Sequence, residues 1–249
     1  MALNHTCRCS TLVVARYNES LDNTTGIQAP VAVVQKTANV GRESLSFLQW
    51  IVEHYAHIEH EHVCVCFAQG GPFISTGPSG QPCYLTAPLV NAARLNADQD
   101  VARLAPCQAI LQHTACGLNP RWQLPCFGPL LRAVLGRHAP PEDTLFRTFA
   151  GAFMIVRSAA ITRLPLDVYW YLLAEHFGAG CALRVPWAME RLWRHLFMCR
   201  ECTPHQKLEL PVLRDRRCRG VNGSRAARTG PPDYVAFPPE PLAGFAWAI

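Results

Sequence analysis

Apolar residues along this chain form short unbroken runs and helically spaced positions, a pattern that indicates alternating strands and helices. Four apolar runs predict buried strands, and these runs cover residues 11–17, 31–36, 63–68 and 149–156. Apolar residues spaced three to four apart predict helices that begin near residue 39 and that cover residues 166–177 and 187–198. The order strand, strand, helix, strand over the first 68 residues favours an α/β fold.

The middle and the end of the chain carry weaker patterns. Residues 74–84 and 136–144 are rich in turn-forming residues and predict loops, whereas the Ala- and Leu-rich residues 87–113 predict helix. From residue 203 onward, Arg, Pro and Gly dominate, and we predict an irregular tail. We therefore divide the chain into an N-terminal extension (1–10), an α/β domain (11–202) and an irregular tail (203–249).

Composition and charge exclude several classes of protein. Hydrophobic residues make up 49% and charged residues 16% of the 249 positions, which is typical of a globular chain. Every long apolar run is interrupted, so we expect no membrane-spanning helix. The net charge is +5, and six arginines lie between residues 214 and 228, so the rest of the chain is close to neutral. A dedicated nucleic-acid-binding protein would show a stronger basic face.

The cysteines and the start of the chain predict a reducing environment. Twelve cysteines are scattered at a density below that of disulfide scaffolds. No basic segment followed by an apolar segment opens the chain, so no secretory signal is predicted. We therefore expect most cysteines to be reduced and buried, the four Asn-X-Ser/Thr sequons to be unmodified, and the location to be cytoplasmic by default.

Polar side chains follow two of the predicted strands and open the first predicted helix. They are Arg16, Asn18 and Glu19 after the first strand, Gln69, Gly70 and Gly71 after the third, and Asn39 and Arg42 at the helix start. Ligands of open α/β sheets bind at the carboxyl ends of strands, and a helix N-terminus favours an anion. This pattern predicts a site for a phosphorylated ligand such as a nucleotide sugar. Alternatively, Arg16 and Glu19 pair with each other and Asn39 only caps the helix.

Five sequence blocks also carry a family resemblance. They are residues 13–19 (VVARYNE), 39–43 (NVGRE), 67–72 (FAQGGP), 151–158 (GAFMIVRS) and 190–193 (ERLW). In this order they resemble an uncharacterised family, domain of unknown function 3431, which is similar to glycosyltransferases of the GT-A type. The resemblance implies a Rossmann-like α/β fold with a mixed, mostly parallel sheet flanked by helices. It also implies transfer of a sugar from a nucleotide-sugar donor to a hydroxyl acceptor.

The same resemblance implies roles for individual residues. Donor binding falls to Arg16, Asn18, Glu19, Asn39, Arg42, Gln69 and Gly70. Glu190 stands where such enzymes carry the base that deprotonates the acceptor hydroxyl. Residues 69–71 stand where they usually hold a metal-binding Asp-X-Asp, yet no carboxylate is present there. We therefore predict no cofactor, with Mn²⁺ or Mg²⁺ kept as an alternative, and a non-catalytic nucleotide- or carbohydrate-binding module remains a second function.

Two further patterns offer metal ligands. Cys199 and Cys202, followed by His205, can bind Zn²⁺, which leaves a zinc-stabilised interaction protein as a third function. Asp98 and Asp100 spell Asp-X-Asp, but they lie in the predicted helical middle of the chain rather than after a strand.

Two groups of polar residues have structural explanations. Glu190 and Arg194 stand four residues apart on the polar face of a predicted helix, so an ion pair is the alternative to a catalytic Glu190. The histidines around the end of the first helix, with neighbouring glutamates, are expected to form a solvated connection; they are His54, His57, His60 and His62.

Overall fold

The computed structural model describes residues 6–199, except residues 20, 22–23, 36–41, 61–62, 72, 77–80, 109, 114–127, 142–143, 150–152 and 178–183. In chain order its elements are β1 Cys7–Arg16, β2 Val31–Gln35, α1 Arg42–His60, β3 Cys64–Gln69, β4 Phe73–Thr76, β5 Pro82–Tyr84, α2 Ala87–Ala92, β6 Arg94–Leu95, β7 Val101–Arg103, β8 Ile110–His113, α3 Gly128–Leu135, β9 Phe146–Phe149, β10 Met154–Arg157, α4 Ser158–Thr162, α5 Leu166–Phe177 and α6 Arg184–Met198.

The main sheet is mixed and has the strand order β2-β1-β3-β10-β7, with β6 paired to β1. β1 is parallel to both β2 and β3, whereas β10 is antiparallel to β3 and β7. Two small hairpins, β4–β5 and β8–β9, lie outside this sheet. The expected α/β class with a mixed sheet flanked by helices is therefore confirmed.

Both faces of the sheet are covered, which explains why the central strands are continuously apolar. In β1, Val13 and Ala15 join a core with residues of α1, α5 and α6. Leu12 and Val14, on the opposite face, join a second core with residues of β5 and α2. A strand buried on both faces has no polar side to present, so its sequence lacks alternation.

The helices on the first face meet through aromatic side chains. Phe47 of α1 lies 5.0 Å from Phe67 of β3 and 6.2 Å from Trp193 of α6, measured between ring centroids. Trp193 also stacks on Phe197 at 5.6 Å. These contacts hold α1 between the sheet and α6. They thereby fix the position of α1, which is the helix that follows β2 in the chain. Within the described part of the chain, no helix is long and apolar enough to cross a membrane.

The middle of the chain departs from the prediction. Only Ala87–Ala92 of the expected helical stretch 87–113 is helical, and β6, β7 and β8 follow it. The expected loop 74–84 contributes strands to the β4–β5 hairpin, and the expected strand 149–156 is divided between the end of β9 and β10. β6 pairs with β1 and β7 pairs with β10, and this strand pairing overrides the weak helical propensity of residues 87–113. The predicted tail, 203–249, lies outside the described residues.

The expectation of reduced cysteines is wrong for the described part of the chain. Cys7–Cys64 and Cys9–Cys66 join β1 to β3, and Cys83–Cys107 joins β5 to the segment after β7. In the two cross-strand pairs the Cα atoms are 5.7 Å apart, a usual separation for a disulfide. Cys199 is disulfide-bonded as well. Parallel pairing of β1 with β3 brings the cysteines of the two cross-strand disulfides together across 57 residues of sequence.

Candidate functional site

The carboxyl ends of β1, β2 and β3 lie side by side at one edge of the sheet. The strand register places Arg16 opposite Gln35 and Ala15 opposite Gln69. The Gly70 N–H donates to the Ala15 carbonyl oxygen at 2.6 Å, so the segments after β1 and β3 are in contact. Because the chain leaves β1 for β2 on one side while β3 lies on the other, this edge has the topology of ligand sites in open α/β sheets.

The turn after β1, residues 17–19, is fixed by its own side chains and by β2. The Glu19 Oε2 atom accepts hydrogen bonds from the N–H groups of Tyr17 at 2.6 Å and Asn18 at 3.1 Å. The Arg16 Nε–H donates to the Glu19 carbonyl oxygen at 3.0 Å, and the Gln35 side-chain amide donates to the Tyr17 carbonyl at 2.8 Å. Arg16 and Glu19 therefore bond to each other, as the alternative prediction had it, through the Glu19 backbone carbonyl.

Gly70 lies directly against Glu19. A Cβ atom at Gly70 would lie 3.0 Å from the Glu19 Cβ and 3.1 Å from its Oε2, tighter than nine in ten real Cβ contacts, so the Glu19 side chain would have to move. Gly71 has φ of +84°, a left-handed conformation that favours glycine. The structure thus brings Arg16, Asn18, Glu19 and Gly70 into one group, which we call the strand-end group. Asn18 and Glu19 are exposed, and Arg16 is half-buried.

The helix start beside this group is only partly described. Asn39 lies outside the described residues, and of Arg42 only the backbone, which begins α1, is described. Two residues later, the Ser44 Oγ lies 2.9 Å from Nε2 of His176 in α5, with both side chains buried. The His176 Nδ1–H donates to the Leu172 carbonyl at 2.7 Å, so in the neutral ring Nε2 accepts from the Ser44 hydroxyl.

This buried hydrogen bond ties the first turn of α1 to α5, and no local sequence pattern predicts it. Ser44 and His176 are each 1% exposed, so neither is within reach of a substrate. The pair therefore has a structural role beneath the site. Gln35 was missed for a related reason, because its role depends on the register of β2 against β1.

Glu190 lies on α6 and is half-buried, and the ion pair with Arg194 stays a prediction. Arg194 Nη1 donates to the Arg147 carbonyl of β9 at 2.7 Å, and its guanidinium lies 5.6 Å from the centre of the Phe149 ring. Burial lowers the pKa of the Arg191 guanidinium, and the Glu190 carboxylate raises it in part. In the described part of the chain, no hydrogen bond or ion pair joins Glu190 to Arg16, Asn18 or Glu19.

The candidate divalent-metal motifs do not form sites among the described residues. Asp98 and Asp100 lie in the connection between β6 and β7, not in a helix, and the Asp100 carboxylate forms an ion pair with Arg163 at 3.1 Å. Residues 69–71 supply no carboxylate, and Glu19 Oε2 already accepts two N–H groups. This donor set does not fit Mn²⁺ or Mg²⁺, which prefer several carboxylate or water oxygens.

The predicted zinc pattern is also explained differently, whereas His57 and Glu59 are exposed, as in the expected solvated connection. Cys199 is disulfide-bonded, so it has no thiolate to offer Zn²⁺, while Cys202 and His205 lie outside the described residues. His54 stacks on Trp50 at 4.6 Å and donates from Nδ1 to the Trp50 carbonyl at 2.9 Å. Across the residues that the structure describes, no group of three His, Cys, Asp or Glu side chains could hold a metal ion.

No protein-family model matches the chain, and no curated protein or solved structure is significantly similar to it. The resemblance to domain of unknown function 3431 therefore stays a prediction. The functional argument depends on the geometry of the strand-end group.

Proposed function

We propose that the protein binds a nucleotide sugar at the strand-end group and transfers the sugar to a hydroxyl acceptor. The observation that supports this proposal is the position of Arg16 at the carboxyl end of β1, opposite Gln35 of β2. Its Nε–H is held by the Glu19 carbonyl, and its Nη groups form no other hydrogen bond or ion pair within the described residues. The planar guanidinium of Arg16, whose Nη groups bond none of the described residues, matches the geometry of a diphosphate.

The other members of the group supply complementary contacts. The second carboxylate oxygen of Glu19 can accept a hydroxyl or N–H of the nucleoside, and the exposed Asn18 amide can donate or accept. Gly70 has no side chain, which lets the Glu19 side chain lie directly against the end of β3 and keeps its carboxylate at the proposed site. In this proposal Gln69, Asn39 and Arg42 complete the donor site, and the start of α1 adds a favourable helix dipole.

The proposed reaction requires no metal. The acceptor oxygen bonds to the anomeric carbon of the sugar while the bond from that carbon to the diphosphate oxygen breaks. The acceptor proton passes to the Glu190 carboxylate, and the diphosphate leaves with the bonding electrons. Arg16, and Arg42 with the helix start, stabilise the negative charge that develops on the leaving group.

One observation favours a second function, a binding module of the same fold without catalysis. Residues 69–71 lack the carboxylate that metal-dependent transferases use, and the described contacts of Arg16, Asn18 and Glu19 do not include Glu190. Such a module would bind the nucleotide or the carbohydrate and release no product.

The first experiment measures binding. Thermal unfolding of the purified chain is followed with UDP, GDP and their sugars, with and without Mn²⁺, for wild type, Arg16→Gln and Arg8→Gln. Arg8 is the matched control because it lies on the same strand, roughly 26 Å from Arg16 at about 3.3 Å per residue. A nucleotide at about a hundred times its Kd stabilises the fold by about 2.7 kcal/mol. We expect that gain in wild type and Arg8→Gln and its loss in Arg16→Gln. Equal gains in both variants would contradict the site.

The second experiment separates the two functions. Release of nucleoside diphosphate from the bound nucleotide sugar is measured for wild type, Glu190→Gln and Glu190→Asp in the presence of hydroxyl acceptors. A transferase with Glu190 as base loses release in Glu190→Gln while nucleotide binding persists, and Glu190→Asp retains part of the activity. Binding without release in wild type would instead establish the module.

A further inference from the structure

A pocket lies away from the strand-end group, between α2 and the edge strand β7. Its volume is about 320 Å³, at the small end of the range for ligand pockets, and its lining includes Leu89, Arg94, Gln99, Arg103, Leu104 and Pro106. Arg94 of β6 is paired in register with Arg8, near the start of β1, whereas the strand-end group lies at the other end of that strand.

Two arginines of this pocket are held in place without a carboxylate partner. The Arg94 Nε–H donates to the Ala92 carbonyl at 3.0 Å, and Arg103 Nη1 donates to the Gln108 carbonyl at 2.9 Å. Among the described lining residues there is no Asp or Glu, and neither arginine has an ion pair within the described part of the chain. Carbonyl bonds orient the two guanidinium groups, and no carboxylate of the described residues forms an ion pair with either of them.

A third arginine adds positive charge beside the pocket wall. Arg157 donates from Nε to the Gln99 carbonyl at 3.2 Å and from Nη2 to the Asn96 carbonyl at 2.8 Å. Its charge therefore lies against the turn that supplies Gln99 to the lining. The same turn carries Asp98 and Asp100, so the positive charge that favours an anion comes from the two lining arginines, Arg94 and Arg103.

The rest of the wall is apolar and is braced by a disulfide. Leu89, Ala102, Leu104 and Pro106 contribute to the lining. The Cys83–Cys107 disulfide anchors the chain directly after Pro106 to β5, so this wall is held before any ligand arrives. A preformed wall reduces the ordering cost of binding.

We propose that this pocket binds a small organic oxyanion, a carboxylate or a phosphate monoester with a compact apolar body. The oxyanion bonds to Arg94 and Arg103, whose planar groups match both headgroups, and the apolar body lies on Leu89 and Leu104. This inference does not depend on the nucleotide-sugar proposal, because it uses other residues at another part of the sheet.

The test uses benzoate and phenyl phosphate as probes, with benzyl alcohol and benzamidine as neutral and cationic controls. Binding is measured by ligand-observed NMR and calorimetry for wild type, Arg94→Gln, Arg103→Gln, Arg103→Lys and Arg132→Gln. Loss of one charge-assisted hydrogen bond lowers affinity about tenfold or more. We expect at least that loss in Arg94→Gln and Arg103→Gln and a smaller loss in Arg103→Lys. Little change is expected in Arg132→Gln, which removes the same charge from an exposed position of α3, a helix that packs on the opposite face of the sheet.

The outcomes decide both the site and its ligand class. Tighter binding of benzoate identifies a carboxylate site, and tighter binding of phenyl phosphate identifies a phosphate-ester site. The proposal is overturned if neither anion binds, if benzyl alcohol or benzamidine binds as tightly, or if Arg132→Gln weakens binding as much as Arg94→Gln. Nucleotide-induced stabilisation is also measured for Arg94→Gln, and it reports only on nucleotide binding at the strand-end group. Failure of one proposal is therefore distinguishable from failure of the other.

Discussion

The two disulfides between β1 and β3 are predicted to be strongly non-additive in stability. Cys7–Cys64 and Cys9–Cys66 each span 57 residues of sequence and join the same two strands two residues apart. Either one alone closes the long loop, which in the chain-entropy treatment stabilises the fold by about 4 kcal/mol. Once one is in place, the other closes only a ring of about six residues, worth about 2 kcal/mol.

Removing either disulfide should therefore cost about 2 kcal/mol, whereas removing both should cost about 6 kcal/mol, since the long loop is then released. The sum of the single losses is about 4 kcal/mol, so we expect a coupling of about 2 kcal/mol. Cys83–Cys107 spans 24 residues and lies outside that loop, so it should contribute about 3 kcal/mol independently.

The measurement is guanidinium unfolding of paired Cys→Ala variants without reductant. C7A/C64A, C9A/C66A and the quadruple variant are compared with wild type, and C83A/C107A is introduced into each background as the matched control. The packing energy lost when a pair is replaced by alanine is the same in the single and combined variants, so it cancels in the coupling energy. If the two cross-strand losses add within about 0.5 kcal/mol, the nested-loop reasoning is refuted.

Three further changes test the packing and the site. Gly70→Ala forces a Cβ against Glu19 and should cost about 1–3 kcal/mol of overpacking and weaken nucleotide binding, as measured by urea unfolding and titration. Burial raises the pKa of Tyr169 well above its ordinary value, and its hydroxyl donates to the Ile161 carbonyl. The free energy of unfolding that depends on the neutral Tyr169 hydroxyl is fully present below about pH 10. Above that pH it falls by about 1.4 kcal/mol per pH unit, because Tyr169 ionises in the unfolded chain. Above about pH 10, the free energy of unfolding should decline less steeply with pH in Tyr169→Phe than in wild type, and equal slopes would contradict the assignment. Trp193→Ala removes the ring between Phe47 and Phe197 and should cost about 3–5 kcal/mol in thermal or urea unfolding.

The elements that the sequence predicts correctly are those with a strong local signal. β1 and β3 are buried on both faces and read as continuous apolar runs, and α5 has a clear helical period. β6 is only two residues long and exists because it pairs with Cys7 and Arg8, far away in sequence. Strands of this kind have no local signal, so the Ala- and Leu-rich composition around them favoured helix instead.

The same distinction applies to the candidate site. Polar residues directly after a strand could be placed at its carboxyl end, which is how Arg16 and Glu19 were found. Contacts set by register or by tertiary packing could not, as with Gln35 against Tyr17 and Ser44 against His176. The cysteines belong to the second class, because each cross-strand bond depends on parallel pairing over a long separation.

The disulfides also change the argument about Asn18. Bonds of this kind persist in oxidising compartments, so the cytoplasmic default loses its basis. In such a compartment Asn18, which is exposed and begins an Asn-X-Ser sequon, is a chemically eligible glycosylation acceptor. A bulky glycan there would cover the strand-end group. If that group binds a nucleotide sugar, peptide mass spectrometry of the chain expressed through a secretory pathway should find Asn18 unmodified. Full occupancy of Asn18 by a glycan in nucleotide-binding protein would show that the donor binds elsewhere.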